Sequence, residues 1–89
     1  MRFLAMQPAG MSPTVLRSGS LRLFFFSREE ERPHIHVQSP DGEAKIWLDP
    51  AIAVAQNYGL KPRDLFEAIR LVREIEHQIR RVWNEHFDR

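Results

Sequence analysis

The sequence predicts an α+β domain: two β-hairpins forming a small curved antiparallel sheet, followed by a short helix and a long C-terminal helix. Three observations lead there. Over residues 14–49, β-branched and aromatic runs alternate with turn clusters at short spacing. Asp49-Pro50 and Gly59 then bracket a segment with a helix-start and a helix-stop signal. Over residues 65–87, apolar side chains recur every three or four positions.

The first hairpin joins residues 14–17 to residues 21–27 through Ser18-Gly19-Ser20. The second strand is apolar on both sides, with Leu21, Leu23 and Phe25 on one face and Phe24 and Phe26 on the other. Something must therefore cover Phe24 and Phe26.

The second hairpin turns at Pro40-Asp41-Gly42, where Gly42 tolerates the positive φ of a tight turn. Closing the turn on Asp41-Gly42 sets Val37 opposite Ile46, Ile35 opposite Leu48, His36 opposite Trp47 and His34 opposite Asp49. One face is then wholly apolar, whereas a one-residue slip would put Val37 against Lys45 and mix the faces. Gln38, Lys45, His36, Trp47, His34 and Asp49 share the other face.

Asp49 reads as an N-cap with Pro50 at the first helical position, and Gly59 as a left-handed terminal residue, which gives a two-turn helix over residues 50–58. Leu65, Ile69, Val72, Ile75, Ile79, Val82, Trp83 and Phe87 form the stripe of the long helix. Arg70 with Glu74 and Glu76 with Arg80 are spaced for helical ion pairs. About 26 residues at ~1.5 Å each make a rod of roughly 39 Å, against a diameter of about 31 Å for a compact domain of this length. The rod should overhang, so either its end frays or Val82, Trp83 and Phe87 pack on another chain. This sets a partner-binding expectation at Phe24, Phe26, Trp83, Asn84, Glu85 and Phe87, in a homo-oligomer or a heterocomplex.

A chain of 89 residues, 43% hydrophobic and 28% charged, fits one small domain. Residues 1–11 read as a flexible extension, which a translation start at Met11 would remove, and residues 12–89 as the domain. A net charge of +1 creates no whole-molecule field toward RNA or an anionic membrane, so any RNA site must be local. The absence of cysteine excludes disulfides, thiolate clusters and a thiol nucleophile. The first ten residues lack the roughly 7–15 apolar residues of a signal core, and no stretch approaches the ~20 of a membrane span. A cytoplasmic protein without a membrane partner is expected.

His34 and His36 are the sharpest chemical feature, since an i, i+2 spacing on a strand sends both imidazoles to one face. They suit an acid and a base for phosphodiester cleavage, with Arg28 or Arg32 near the phosphate. They also suit two nitrogen ligands of a zinc-like ion, with Asp49 as a third. The plainer reading is a pair of partly buried residues stacked on Trp47, with Asp49 used as a cap. With Asp49 so committed the face is one ligand short, so no metal site within a single chain and no cofactor are expected. The mixed run Arg28-Glu29-Glu30-Glu31-Arg32 reads as a solvated loop, and His77 and His86 as noncatalytic. These residues leave open whether the chain is an enzyme.

Pro13-Thr14-Val15-Leu16-Arg17, the Phe run with Ser27, Pro33-His34-Ile35-His36-Val37, the strand over 44–48, Leu71-Val72-Arg73-Glu74 and Trp83-Asn84-Glu85 with Phe87 occur in that order. Together they resemble the small bacterial family called domain of unknown function 4160, over nearly all of residues 12–88. Residues 1–10 fall outside the family's usual pattern, and Lys61-Pro62 stands where members place a Ser or Asn cap, which weakens helix capping rather than any site. The family has no established activity. Its members resemble the toxin component of toxin–antitoxin-type gene pairs, beside a second small protein. The resemblance thus implies a toxin component acting with a cognate small protein, with RNA as a conceivable target, and with His34, His36, Trp83, Asn84 and Glu85 as candidate functional positions. The alternative is a noncatalytic binding or adaptor module that oligomerises through the long helix and the Phe-rich strand.

Overall fold

The structure, a computed structural model, describes residues 2–3, 14–25 and 32–87, and the side chains of residues 14–25 and 32–85. The α+β class holds, with an open antiparallel sheet followed by two helices. The strands β1 (Arg2–Phe3), β2 (Thr14–Ser18), β3 (Leu21–Phe24), β4 (His34–Ser39), β5 (Gly42–Trp47) and β6 (Ala53–Tyr58) lie side by side in chain order. The helices are α1 (Pro62–Glu74) and α2 (Glu76–Phe87). Of the expected extension, residues 2–3 form the short edge strand β1 against β2, and residues 4–11 lie outside the described residues.

Gly19, at φ +58°, turns the first hairpin as its sequence position suggests, with Ser18 opposite Leu21. The second hairpin corrects the expected register. Ser39 pairs with Gly42, so Pro40 and Asp41 form the loop, and the partners become Val37 with Ala44, Ile35 with Ile46, His36 with Lys45 and His34 with Trp47. Gly42 belongs to the ladder and has no positive φ. Its smallness is needed for another reason: a Cβ there would run into the Tyr58 carbonyl oxygen and the Gly59 backbone. Each β5 partner is displaced by two residues, which leaves both faces as expected because side chains alternate with a period of two.

The short helix expected over residues 50–58 does not form. Ala53–Tyr58 is instead β6, antiparallel to β5, with an irregularity opposite Lys45 and Ile46. A two-turn helix is marginal by itself, whereas an extended segment here completes the ladder of β5, whose backbone groups need partners. Gly59 does take a left-handed conformation, φ +98°, but ends a strand. Asn57 locks that exit: its side-chain amide donates to the Leu60 carbonyl at 3.1 Å and accepts from the Leu60 N–H at 3.0 Å.

The single long helix is also corrected. Ile75, at φ −116° and ψ 22°, interrupts it between α1 and α2. The longest extent of the molecule is 33 Å, shorter than the straight rod of roughly 39 Å, so no overhang arises. Breaking the rod lets Ala68, Leu71 and Val72 on one side and Ile79, Val82 and Trp83 on the other enter the same core with Leu16, Leu23, Phe25, Ile35, Val37 and Ile46. The core therefore lies between one face of the sheet and both helices. Lys61 provides no side-chain cap to α1, as the Lys61-Pro62 sequence anticipates. Arg70 meets Glu74, and Arg80 meets Glu76, each at 2.8 Å. Among the described residues no helix is long and apolar enough to cross a membrane.

Candidate functional site

The sheet face opposite the one that carries Leu23, Ile35 and Ile46 holds the candidate chemistry, arranged in rows set by the strand register, and Trp83 of α2 reaches it at His34. One row runs Arg2, Arg17, Arg22, Gln38, Glu43, Tyr58 across all six strands. The next runs Thr14, Phe24, His36, Lys45, Gln56, and a third holds His34, Trp47 and Ala53.

His34 and His36 do share this face, with ring centres 5.1 Å apart, but their surroundings differ. His34 is fully buried. Its Nδ1 lies 2.7 Å from the Arg32 carbonyl oxygen, and since a carbonyl only accepts, Nδ1 carries the proton. Its ring is 5.6 Å from Trp47 and 5.2 Å from Trp83. His34 thus sits in the interior with both indoles around it. His36 is 8% exposed, with Nδ1 3.7 Å from Glu43 Oε2 and its ring 5.4 Å from Phe24. Of the two, His36 is the one that reaches the surface.

Cations lie on the aromatic rings of this face. The guanidinium carbon of Arg22 is 4.3 Å from the Phe24 ring centre, that of Arg32 is 3.8 Å from Trp47, and Lys45 Nζ is 4.4 Å from Trp47. Arg32 is further fixed by donating Nε–H to the Asp49 carbonyl at 2.9 Å. Burial, and after it the like charge of Arg17, lowers the Arg22 pKa, while Glu43 opposes the shift.

Asp49 is committed elsewhere, though not as a helix cap. Its carboxylate accepts from Arg80 Nη2 at 2.7 Å. Among the described residues no three His, Asp or Glu side chains converge on a point.

Two of the expected partner-facing aromatics sit inside the molecule. Phe24 is 2% exposed, beneath Arg22 and beside His36. Trp83 is also 2% exposed, edge-on to Phe25 at 5.3 Å. The reason is the break at Ile75, which turns Trp83 into the chain's own core. Asn84 and Glu85 are exposed, while Phe26 and the Phe87 side chain lie outside the described residues. The cations Arg17, Arg22 and Lys45 were missing from the residues singled out by sequence. The signal was present in part, since Arg17 and Arg22 stand symmetrically about the Gly19-Ser20 turn.

A family model described as Domain of unknown function (DUF4160) matches residues 20–84, most of the chain. This chain belongs to that family. The DUF4160 match takes in His34, His36, Trp47 and Trp83, and begins after Arg17. No curated protein and no solved structure matches the chain.

Proposed function

We propose that this is a bacterial cytoplasmic protein, the toxin component of a toxin–antitoxin-like pair, which acts with a cognate small protein and binds RNA on the outer face of its sheet. The observation that carries the RNA reading is the set of cations laid on aromatics, Arg32 and Lys45 on Trp47 and Arg22 on Phe24. Fixed cations neutralise phosphates, and an exposed guanidinium plane such as Arg32 is a surface on which an unpaired base stacks. The net charge of +1 is then no obstacle, because the positive charge is local. His36 supplies acid/base chemistry on a phosphodiester beside these cations, with Glu43 orienting its ring. His34 positions His36 from below.

Growth arrest on expression, rescued by the neighbouring gene product, tests the paired role. Binding of a short unstructured oligoribonucleotide by fluorescence polarisation tests the surface. Lys45→Ala should lower the salt dependence of binding by about one unit of log–log slope if it contacts a phosphate, and His36→Ala should bind normally but relieve growth arrest. Absence of binding at low salt would end the RNA reading, and an equally toxic His36→Ala would remove His36 from the chemistry.

A noncatalytic binding module is the second reading, favoured by Phe66. That ring is 73% exposed on α1, where it lines a groove of about 160 Å³ with Ile69, Arg70 and Arg73. Asn84 and Glu85 extend the partner surface along α2 in this reading. A stable complex lost in Phe66→Ala, without any RNA binding, would place it first.

A further inference from the structure

The tips of the two hairpins lie together at one end of the sheet. Between them is an open depression of about 340 Å³, lined by Arg17, Ser20, Arg22, Gln38, Ser39 and Pro40. Its charge is unusual for a sheet. Arg17 and Arg22 are direct cross-strand partners, and Arg2 is the register partner of Arg17 on β1. Like charges directly opposite each other destabilise a strand pair. Among the described residues Arg17 has no ion-pair partner, and Glu43, the carboxylate in the same row, stands beyond Gln38 from Arg22.

The groups around the depression are held in place. Arg22 donates Nε–H to Thr14 Oγ1 at 2.7 Å, approaches Gln38 Oε1 with Nη1 at 3.5 Å and lies on Phe24. Its side-chain freedom is already reduced, so an anion meets a positive charge held in place. The Ser39 hydroxyl accepts from the Asp41 N–H at 3.1 Å, which leaves its own proton to donate. Ser20 adds a second hydroxyl at the rim.

We propose that this depression binds a phosphomonoester. Two opposed guanidinium groups and two hydroxyls match a group with about −1.5 to −2 charge and three acceptor oxygens near neutral pH. A diester or a carboxylate carries a single charge and offers only two such oxygens to the guanidinium groups and hydroxyls. The site needs neither His36 nor Trp47, and of the cations in the RNA surface proposed above it shares Arg22 alone. The monoester belongs either to the 5′ end of a nucleic acid or to a small phosphorylated metabolite.

Titration of the isotopically labelled full chain, followed by NMR at the amides of Gly19, Ser20 and Ser39, tests the site. Glycerol 3-phosphate should give saturable shifts, and dimethyl phosphate should bind about tenfold more weakly. Arg17→Gln should abolish the shifts while the rest of its spectrum stays that of the wild type, and Arg22→Lys, which keeps the charge but not the anchoring on Thr14 and Gln38, should weaken them. A 5′-phosphorylated tetranucleotide that shifts these amides at lower concentration than both glycerol 3-phosphate and its own unphosphorylated form identifies a nucleic-acid end, and affinity equal to that of glycerol 3-phosphate identifies a small metabolite. Unperturbed amides, equal binding of the monoester and the diester, or unaltered binding by Arg17→Gln would each overturn the assignment.

Discussion

Arg80 Nη2 donates to Asp49 Oδ1 at 2.7 Å and to the Leu48 carbonyl at 2.8 Å, which ties α2 to the segment leaving β5. The hydrogen bond from Arg80, reinforced by the charges of Arg80 and Arg32, holds the Asp49 carboxyl below its ordinary value against the opposing effect of desolvation. The folded-state pKa is the lower one, so the stabilisation is complete above the unfolded value of about 3.9 and disappears as pH falls through the folded value. Asp49→Asn should therefore be less stable than wild type near neutral pH, by up to about 1 kcal/mol because both side chains are over a third exposed to screening solvent. Urea melts at about pH 7 and about pH 3 should show that difference shrinking on acidification. A difference that grows instead would mean Asp49 is stabilised in its protonated form.

The face assignment of β5 yields a second prediction. Ile46 is fully buried opposite Ile35, while Lys45 stands half-buried on the outer face opposite His36. Ile46→Ala should cost about 2–5 kcal/mol, and Lys45→Ala should stay within about 0.5 kcal/mol plus a lost cation–π contact of similar size. Cross-strand nuclear Overhauser effects linking Ile35 to Ile46 rather than to Leu48 would fix the register as well as the face.

Gly42 and Gly19 should respond differently to the same substitution. At Gly19 a Cβ meets nothing within 4 Å, so Gly19→Ala carries only the left-handed backbone penalty of about 1–2 kcal/mol. At Gly42 the added carbon strikes backbone of Tyr58 and Gly59, atoms that no rotamer change can move. Gly42→Ala should loosen the end of β6 and cost about 1–3 kcal/mol. Amide exchange is the measurement, with protection lost across β6 in the Gly42 variant and retained there in the Gly19 variant.

The faces of the second hairpin were legible because alternation has a period of two, and the register was not because a two-residue displacement leaves both faces unchanged. The shared face of His34 and His36 was readable for the same reason. The burial of His34 was not, since it depends on Trp83, 49 positions later in the chain. Ala53, Ala55 and Gln56 suit a helix, and β6 is imposed by the edge of β5, a tertiary demand that overrides weak local preference. Neither Gly nor Pro marks the break at Ile75. The mismatch between rod and globule did signal that something must give, and the chain resolves it by bending. The row of arginines emerges only once three strands are in register.

Trp83 carries the last prediction, because its two readings demand opposite behaviour. As a partner anchor it would be silent in the isolated chain and would govern assembly. In the structure it packs on Phe25 and His34 within a single chain, so Trp83→Ala should remove about 3–5 kcal/mol of the chain's own stability. Trp83→Phe, which keeps an aromatic edge against Phe25, should lose less. Since the contact is intramolecular, the unfolding midpoints of wild type and of Trp83→Phe should not move with protein concentration, and sedimentation should report the same mass for both. A Trp83→Ala protein as stable as wild type but shifted from a larger species to a monomer would return this residue to a partner surface. That outcome would also require α2 to leave the sheet, exposing Phe25 and His34, which amide exchange at β4 would detect.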